Sequence, residues 1–231
     1  MASDQPGPIY HRDLDQGTED WLAARCGLLT ASEMKLILTP TLKLASNEKE
    51  RAHLYELLAQ RISGYVEPSY ISDDMLRGRE DEIAARDYYV EHFAPVEHVG
   101  FITNDKWGFT IGYSPDALVG DDGLIEIKSR RQRFQIETII NHQMPDEYLL
   151  QVQTALLVSE RAWCDFVSYS GGLPMVAIRV LPDLDIQAAI VAAATAFEAR
   201  LAEKHAAYLA AFTADRRHVP TERRIEQEMF L

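Results

Sequence analysis

The sequence predicts a mixed α/β protein in which helices flank a central mixed β-sheet. Apolar residues recur at intervals of three and four over residues 46–62, which is typical of an amphipathic helix. Between about residues 99 and 128 they alternate with polar residues, which is typical of strands with one buried face. Helical and strand patterns then follow each other up to residue 212, so several parts of the chain are expected to cover the sheet.

Length and composition favour one folded domain. The chain has 231 residues, and its 47% hydrophobic content is enough for a substantial core. We expect that domain over residues 18–212. Residues 1–17 are polar, with early prolines and glycines, and are predicted to be a flexible N-terminal arm. Residues 213–231 are predicted to be a charged C-terminal tail.

No targeting or membrane segment is expected. The chain has no apolar run of about eighteen residues, and Met1 to Pro8 lack a basic stretch followed by an apolar one. We therefore expect a cytoplasmic protein. Its two cysteines, Cys26 and Cys164, are far apart in sequence and too few for a cysteine-only metal site, so they are expected to be buried thiols.

The formal net charge of -13 opposes nonspecific binding to nucleic acid, because such binding comes mainly from Lys and Arg at phosphates. Binding to DNA would therefore need local clusters of cations. The candidates are Lys128, Arg130, Arg131 and Arg133, and Arg77 with Arg79.

The N-terminal half is predicted to be helical. Thr18 can cap a short helix, and Thr30 or Ser32 can cap a second one that runs to Leu38. Two longer helices are predicted over residues 46–62 and 73–93, with Glu82 in the middle of the latter.

The strands are predicted to begin after Pro95. Three alternating segments, with Gly120 to Gly123 as a hairpin turn, predict a three-stranded meander over residues 99–103, 109–113 and 124–128. A helix that begins at Pro145 and ends near Ser159 would follow. The remaining predicted elements are strands over 162–169 and 175–181 and an alanine-rich helix over 183–212.

One pattern in this region points to metal-dependent chemistry. Strand alternation puts Glu126 and Lys128 on one face, and the hairpin would bring Asp116 beside them. Two carboxylates offer hard oxygen ligands for Mg²⁺, and a lysine next to them could position or activate an attacking water. The plainer alternative is an Asp that caps a turn beside an exposed cross-strand Glu–Lys pair. The apolar neighbours in this strand favour the functional interpretation, because an inner strand seldom carries uncompensated charge.

Glu82 could supply a third carboxylate from the preceding helix. The alternative is a solvated partner for Arg79 or Arg86 at helical spacing. Taken alone, Glu82 fits the alternative better.

Four sequence blocks, in order over about residues 17–181, resemble the phage lambda exonuclease family, also called YqaJ-type viral recombinases, a branch of the PD-(D/E)XK nucleases. One departure is Arg77, where the family has an aromatic or apolar residue. The blocks are Trp21 to Arg25 with Gly27 to Ser32, Gly78 with Glu82, Ser114 to Asp116 with Glu126 to Lys128, and Tyr148 with Gln151 to Gln153.

This resemblance implies a restriction-endonuclease-like core and a role for each matching residue. Asp116, Glu126 and the backbone carbonyl of Ile127 would bind Mg²⁺, with Glu82 in the metal shell. Two ions are implied, and Mn²⁺ could substitute. Lys128 would assist the attacking water. Tyr148 and Gln151 would border the site, and Arg25 and Ser32 would bind a terminal 5′-phosphate.

The resemblance also implies a function, namely 5′-to-3′ exonuclease digestion of linear double-stranded DNA for single-strand-annealing recombination. A homotrimeric ring, a single-strand annealing protein as partner and a phage or prophage origin are implied in the same way. Two alternatives remain open, a restriction-like endonuclease with the same metal core and an inactive protein that binds DNA ends. Intact Asp116, Glu126 and Lys128 argue against the second.

Overall fold

The computed structural model describes residues 7–68, 73–212 and 216–223. This part of the chain contains both helices and strands, as the sequence predicts. The strands are β1 (Ile9–His11), β2 (Leu29–Thr30), β3 (Phe101–Asn104), β4 (Ile111–Tyr113), β5 (Ala117–Val119), β6 (Gly123–Ser129), β7 (Trp163–Tyr169) and β8 (Val176–Val180). The helices are α1 (Glu19–Arg25), α2 (Met34–Ile37), α3 (Glu48–Ser63), α4 (Asp73–His92), α5 (Gln132–Asn141), α6 (Leu149–Ser159) and α7 (Leu184–Ala210).

The predicted α/β class is confirmed, but the strands form two mixed sheets instead of one central sheet. The first sheet has the order β1-β3-β4-β2, and the second has the order β5-β6-β7-β8. In the second sheet β6 is parallel to β7 and antiparallel to β5. Strand β6, which carries Glu126 and Lys128, is therefore an inner strand, as its apolar composition indicates.

The predicted three-stranded meander is wrong. Strand β4 pairs with β3 and β2 in the first sheet, and the partner of β6 is the short strand β5. Pro115 lies between β4 and β5, and its missing N–H cannot continue a ladder, so the chain leaves one sheet there and enters the other. The hairpin turn is confirmed, and Gly120 adopts the positive φ of 53° that such a turn needs.

Part of the predicted N-terminal arm belongs to the first sheet. Residues 9–11 form β1, which pairs with β3, and the Tyr10 hydroxyl donates to the Ser159 carbonyl at 2.7 Å. The prediction of a flexible arm is therefore wrong for this segment. A three-residue strand among prolines and glycines carries too little alternation to be recognised from sequence. Residues 1–6 and most of the predicted tail lie outside the described residues.

Helices cover the second sheet on both faces, and each face has its own core. On one face Leu124 packs with residues of α6 and α7, and on the other Ile125 and Ile127 pack with Ala85 and Tyr89 of α4. Because α4 carries Glu82, its packing on β6 brings a helix carboxylate towards the strand that carries Glu126. None of the described helices is long and apolar enough to cross a membrane.

The sequence did not predict helix α5. Its inward positions are polar, with Gln135 and Thr138 buried, and its isoleucines Ile136 and Ile140 are exposed, so the usual apolar stripe is missing. The Gln135 amide donates to the carbonyls of Ser168, at 3.0 Å, and Pro174, at 2.7 Å, which fixes the helix beside the end of β7.

Candidate active site

Asp116 and β6 meet at the junction between the two sheets. The chain enters β5 immediately after Asp116, and the Asp116 Oδ2 atom accepts a hydrogen bond from the backbone N–H of Ile127 at 2.5 Å. This contact holds Asp116 beside the strand segment that carries Glu126 and Lys128. The predicted proximity of these three residues is confirmed.

Glu126 is the most densely contacted group of the site. It is 2% exposed, and its Oε1 atom accepts from Lys128 Nζ at 2.6 Å and from Gln151 Nε2 at 2.5 Å. Its Oε2 atom accepts from the Tyr113 hydroxyl at 3.0 Å. Strands β4 and β6 and helix α6 thus all fix one carboxylate, and Gln151 lies in the site as the sequence blocks imply.

The charges of the site perturb one another. Burial and the neighbouring Glu126 carboxylate raise the pKa of Asp116 well above its usual range, and Glu82 adds to this effect while Lys128 opposes it. Burial alone would lower the pKa of Lys128, but Glu126 and Asp116 outweigh it and raise that pKa above the ordinary value. Lys128 is therefore an ammonium at neutral pH, and Asp116 is a carboxyl group that holds its proton unusually strongly.

Glu82 forms the ion pair of the plainer interpretation, and it also influences the charge of the centre. Its Oε1 atom accepts a hydrogen bond from Arg86 Nη2 one helical turn away, which is the ion pair of the plainer interpretation. Its charge nevertheless contributes to the raised pKa of Asp116, so Glu82 also lies within electrostatic reach of the centre.

The donor chemistry of this centre fits Mg²⁺. Across the described ranges, no three His, Cys, Asp or Glu side chains already stand close enough together to hold an ion. Asp116 and Glu126 are, however, hard oxygen donors on adjacent backbone segments, and their mutual repulsion is the kind that a divalent cation relieves. Completing the set with Glu82 would require this side chain to leave Arg86.

Arg25 and Ser32 converge on one hydroxyl. Arg25 Nη2 lies 3.4 Å from Thr30 Oγ1, and the Ser32 hydroxyl lies 3.4 Å from the same atom. Thr30 is the N-cap of the short 3₁₀ turn Ala31–Glu33. The Glu33 carboxylate accepts hydrogen bonds from the backbone N–H and from the hydroxyl of Thr30. Burial lowers the pKa of Arg25, and Glu33 opposes that effect.

Trp21 connects this pocket to the Asp116 loop. The Arg25 guanidinium lies 4.4 Å from the centroid of the Trp21 ring, and the indole N–H donates to Ser114 Oγ at 3.1 Å. Ser114 is two residues before Asp116. The structure therefore brings the predicted phosphate pocket and the predicted metal centre to the same edge of the fold.

Two residues of the site were not found from sequence. Tyr113, which holds Glu126, follows the strand alternation and could have been placed on the face of β4 that looks towards β6. Arg130 was grouped with the cations that could bind DNA, and the structure shows that its side chain is only 7% exposed. Arg131 and Arg133 are exposed.

Comparisons with known proteins show which sequences and folds this chain resembles. The profile of the YqaJ-like viral recombinase domain matches residues 20–162. An alkaline exonuclease (LHK-Exo) from Laribacter hongkongensis is 35% identical, with a TM-score of 0.68, and the match covers 83% of this chain and 100% of that one. Its complex with dAMP gives 36% identity and a TM-score of 0.69 over the same shares.

A more distant structure shows the fold alone. A phage-related exonuclease from Haemophilus somnus is 12% identical, with a TM-score of 0.53, over 77% of this chain and 96% of that one. No curated protein matches the chain.

Proposed function

The chain belongs to the YqaJ-like viral recombinase family, and on that premise we propose that it is a Mg²⁺-dependent 5′-to-3′ exonuclease of linear double-stranded DNA. Its role would be to resect DNA ends for single-strand-annealing recombination. The observation that carries the proposal is the convergence of Asp116, Glu126 and Lys128, joined by the Ile127 N–H and the Lys128–Glu126 contact. Alkaline exonuclease activity in a relative at 35% identity supports the same reaction class.

The ions are the part of the site that the protein itself does not supply. Asp116, Glu126, the Ile127 carbonyl and Glu82 would hold Mg²⁺, and we propose two ions, with Mn²⁺ as a substitute. When bound, they would supply Lewis-acid polarisation of the phosphodiester and charge neutralisation.

Lys128 is suited to assist the attacking water. Its ammonium lies 2.6 Å from Glu126 Oε1, beside the proposed metal centre, and can donate hydrogen bonds that orient this water. Tyr113 and Gln151 hold Glu126 from two sides, so this carboxylate stays in place beside Lys128. Preorganised charge of this kind supports hydrolysis by positioning.

Polarity would come from the pocket of Arg25 and Ser32. A guanidinium and a hydroxyl that already meet at Thr30 can bind the oxygens of a terminal 5′-phosphate. An end held there would present its next phosphodiester to the nearby Asp116 loop, to which Trp21 connects the pocket. This pocket favours an exonuclease over a restriction-like endonuclease, which would not need to recognise a terminal phosphate.

Assembly and context complete the proposal by family resemblance. A homotrimeric ring would retain DNA by topology, which reduces the need for a basic surface on a chain with a net charge of -13. A single-strand annealing protein would be its partner, in the cytoplasm of a bacterium that carries the phage or prophage.

The test compares linear and covalently closed duplex DNA, incubated with Mg²⁺ or with a chelator. Wild-type protein should degrade only the linear DNA and only with Mg²⁺, and Asp116→Asn should be inactive on both. Cleavage of the closed DNA would support the endonuclease alternative. Binding of ends without any degradation would support the inactive end-binding protein.

A further inference from the structure

Arg130 is a buried arginine placed two residues beyond Lys128 in the chain. Its backbone N–H donates to the Tyr169 carbonyl at 2.7 Å, so the residue is held where β6 ends beside β7. The side chain is 7% exposed. Burying a guanidinium is costly. The acidic neighbour Glu147 is 61% exposed, so a buried ion pair does not account for the burial of Arg130.

The contacts of Arg130 converge on Tyr148. Arg130 Nη1 donates to the Tyr148 hydroxyl at 2.7 Å and to Glu147 Oε1 at 2.6 Å. The guanidinium carbon also lies 5.2 Å from the centroid of the Tyr148 ring and 5.1 Å from that of Phe134 in α5. Arg130 thus fixes both the hydroxyl and the ring plane of Tyr148, using α5 as its support.

The Tyr148 ring in turn packs beside the ammonium group of Lys128. Its ring centroid lies 5.6 Å from Lys128 Nζ, within the range of a cation–π contact, and 5.3 Å from the ring of Phe166. Lys128 Nζ also contacts Glu126 Oε1. A flexible lysine is therefore held between a carboxylate and an aromatic face, and the aromatic face is held by Arg130.

We propose that Arg130 is a positioning residue for DNA hydrolysis, which acts through Tyr148 to fix the ammonium of Lys128 against Glu126. The inference rests on the proposed nuclease function. It assigns to Arg130 an effect on turnover, which is different from the effect of a cation that binds the DNA backbone. A phosphate contact would act on binding and on its dependence on salt.

The geometry also predicts which substitution can replace Arg130. One guanidinium nitrogen reaches both Tyr148 and Glu147, while the flat group stacks on two rings. The point charge of a lysine cannot reproduce this set of contacts. Arg130→Lys should therefore remain defective, whereas a role in nonspecific phosphate binding would tolerate it.

The experiment measures kcat and KM for 5′-phosphorylated linear duplex with Arg130→Gln, Arg130→Lys, Tyr148→Phe and the double variant Arg130→Gln/Tyr148→Phe. Both Arg130 variants should lower kcat about tenfold or more, the scale on which misplaced catalytic groups act, with KM changed less than about threefold. The double variant should be clearly less impaired than the product of the two single effects predicts, because both changes loosen the same Tyr148 ring beside Lys128.

Arg179→Lys is the matched control on the opposite face of the second sheet. Arg179 donates to Asp165 at 2.8 and 2.9 Å and lies 3.6 Å from the Trp163 ring centroid, so it is also an arginine bound to a carboxylate and an aromatic ring. This variant should lower the melting temperature and leave kcat unchanged. Melting curves of the Arg130 variants separate a loss of folding from a loss of turnover.

Four results would overturn the inference. They are an unchanged kcat in the folded Arg130 variants, a defect confined to KM with an altered salt dependence, full activity of Arg130→Lys, and multiplicative effects in the double variant. If wild type degrades linear DNA and Asp116→Asn does not, such results reject only the role of Arg130. A wild type without nuclease activity would reject the proposed function and this inference together.

Discussion

Asp116→Asn should make the metal-free protein more stable while abolishing its nuclease activity. The pKa of Asp116 is raised by burial and by Glu126, so an ionised Asp116 is unfavourable in the folded state. The amide keeps an oxygen that can accept from the Ile127 N–H, but it removes the repulsion. Changes of this type commonly stabilise by about 0.5–2 kcal/mol, which at about 2–4 °C per kcal/mol for a chain of this size raises Tm by a few degrees.

The sign of the pH dependence follows from linkage. Between the ordinary pKa of an aspartate and the raised pKa in the fold, the native state keeps a proton that the unfolded state has lost, so the contribution of Asp116 to stability falls as pH rises. The advantage of Asp116→Asn should therefore be larger at neutral pH than near pH 4. Mg²⁺ should stabilise wild type more than the variant, because only wild type retains the full carboxylate pair.

Thermal melting with chelator or Mg²⁺, at both pH values, tests this reasoning. Asp165→Asn is the matched control, because this buried carboxylate is compensated by Arg179 and by the Tyr89 hydroxyl at 2.7 Å. It should destabilise by about 1–3 kcal/mol, the opposite sign. A metal-free Asp116→Asn that melts below wild type, or an equal shift by Mg²⁺ in both proteins, would refute the account of the carboxylate cluster.

The remaining predictions concern the lysine, the phosphate pocket, proton release and assembly. Lys128→Ala should fold, as judged by its melting curve, and lose digestion of linear duplex, so near wild-type activity would show that the assigned centre is wrong. Arg25→Ala should slow digestion of 5′-phosphorylated ends roughly tenfold or more, which corresponds to about 1.5–3 kcal/mol, and should reduce the preference over 5′-hydroxyl ends. Ser32→Ala should cost about 0.5–1.5 kcal/mol. Equal losses on both substrates would mean that Arg25 and Ser32 have a structural role. Because the pKa of Asp116 is raised, Mg²⁺ binding should release protons from this residue. Calorimetry in two buffers of different ionisation enthalpy should therefore give different binding heats, and identical heats would contradict proton release. Light scattering should give a trimer mass, and a monomer that degrades long DNA processively would remove the ring from the mechanism.

Local patterns predicted the parts of the fold that depend on local physics. The cap at Thr18, which accepts from the Trp21 N–H, and the long helices α3 and α4 follow from capping and periodicity. The shared face of Glu126 and Lys128 follows from strand alternation. These features are fixed by neighbours in sequence, so a single chain reveals them.

Contacts between distant segments were the part that periodicity could not predict. Strand β5 is too short to show a pattern, and α5 is held by the buried amide of Gln135 instead of an apolar stripe. Arg130 is buried against Tyr148, 18 residues away, and its place in a cluster of cations does not reveal this contact. The link from Trp21 to Ser114 likewise spans 93 residues.

The order in which a linear duplex loses its ends tests the central claim most directly. The substrate is a 5′-phosphorylated duplex with distinguishable labels at the 5′ and 3′ ends of one strand, incubated with Mg²⁺ and sampled over time. The account predicts that the 5′ label is released as mononucleotide well before the 3′ label, that chelator stops the release, and that Asp116→Asn shows none. Three results would contradict it. They are release of the 3′ label first, early appearance of fragments cut within the strand, and release that continues unchanged with chelator.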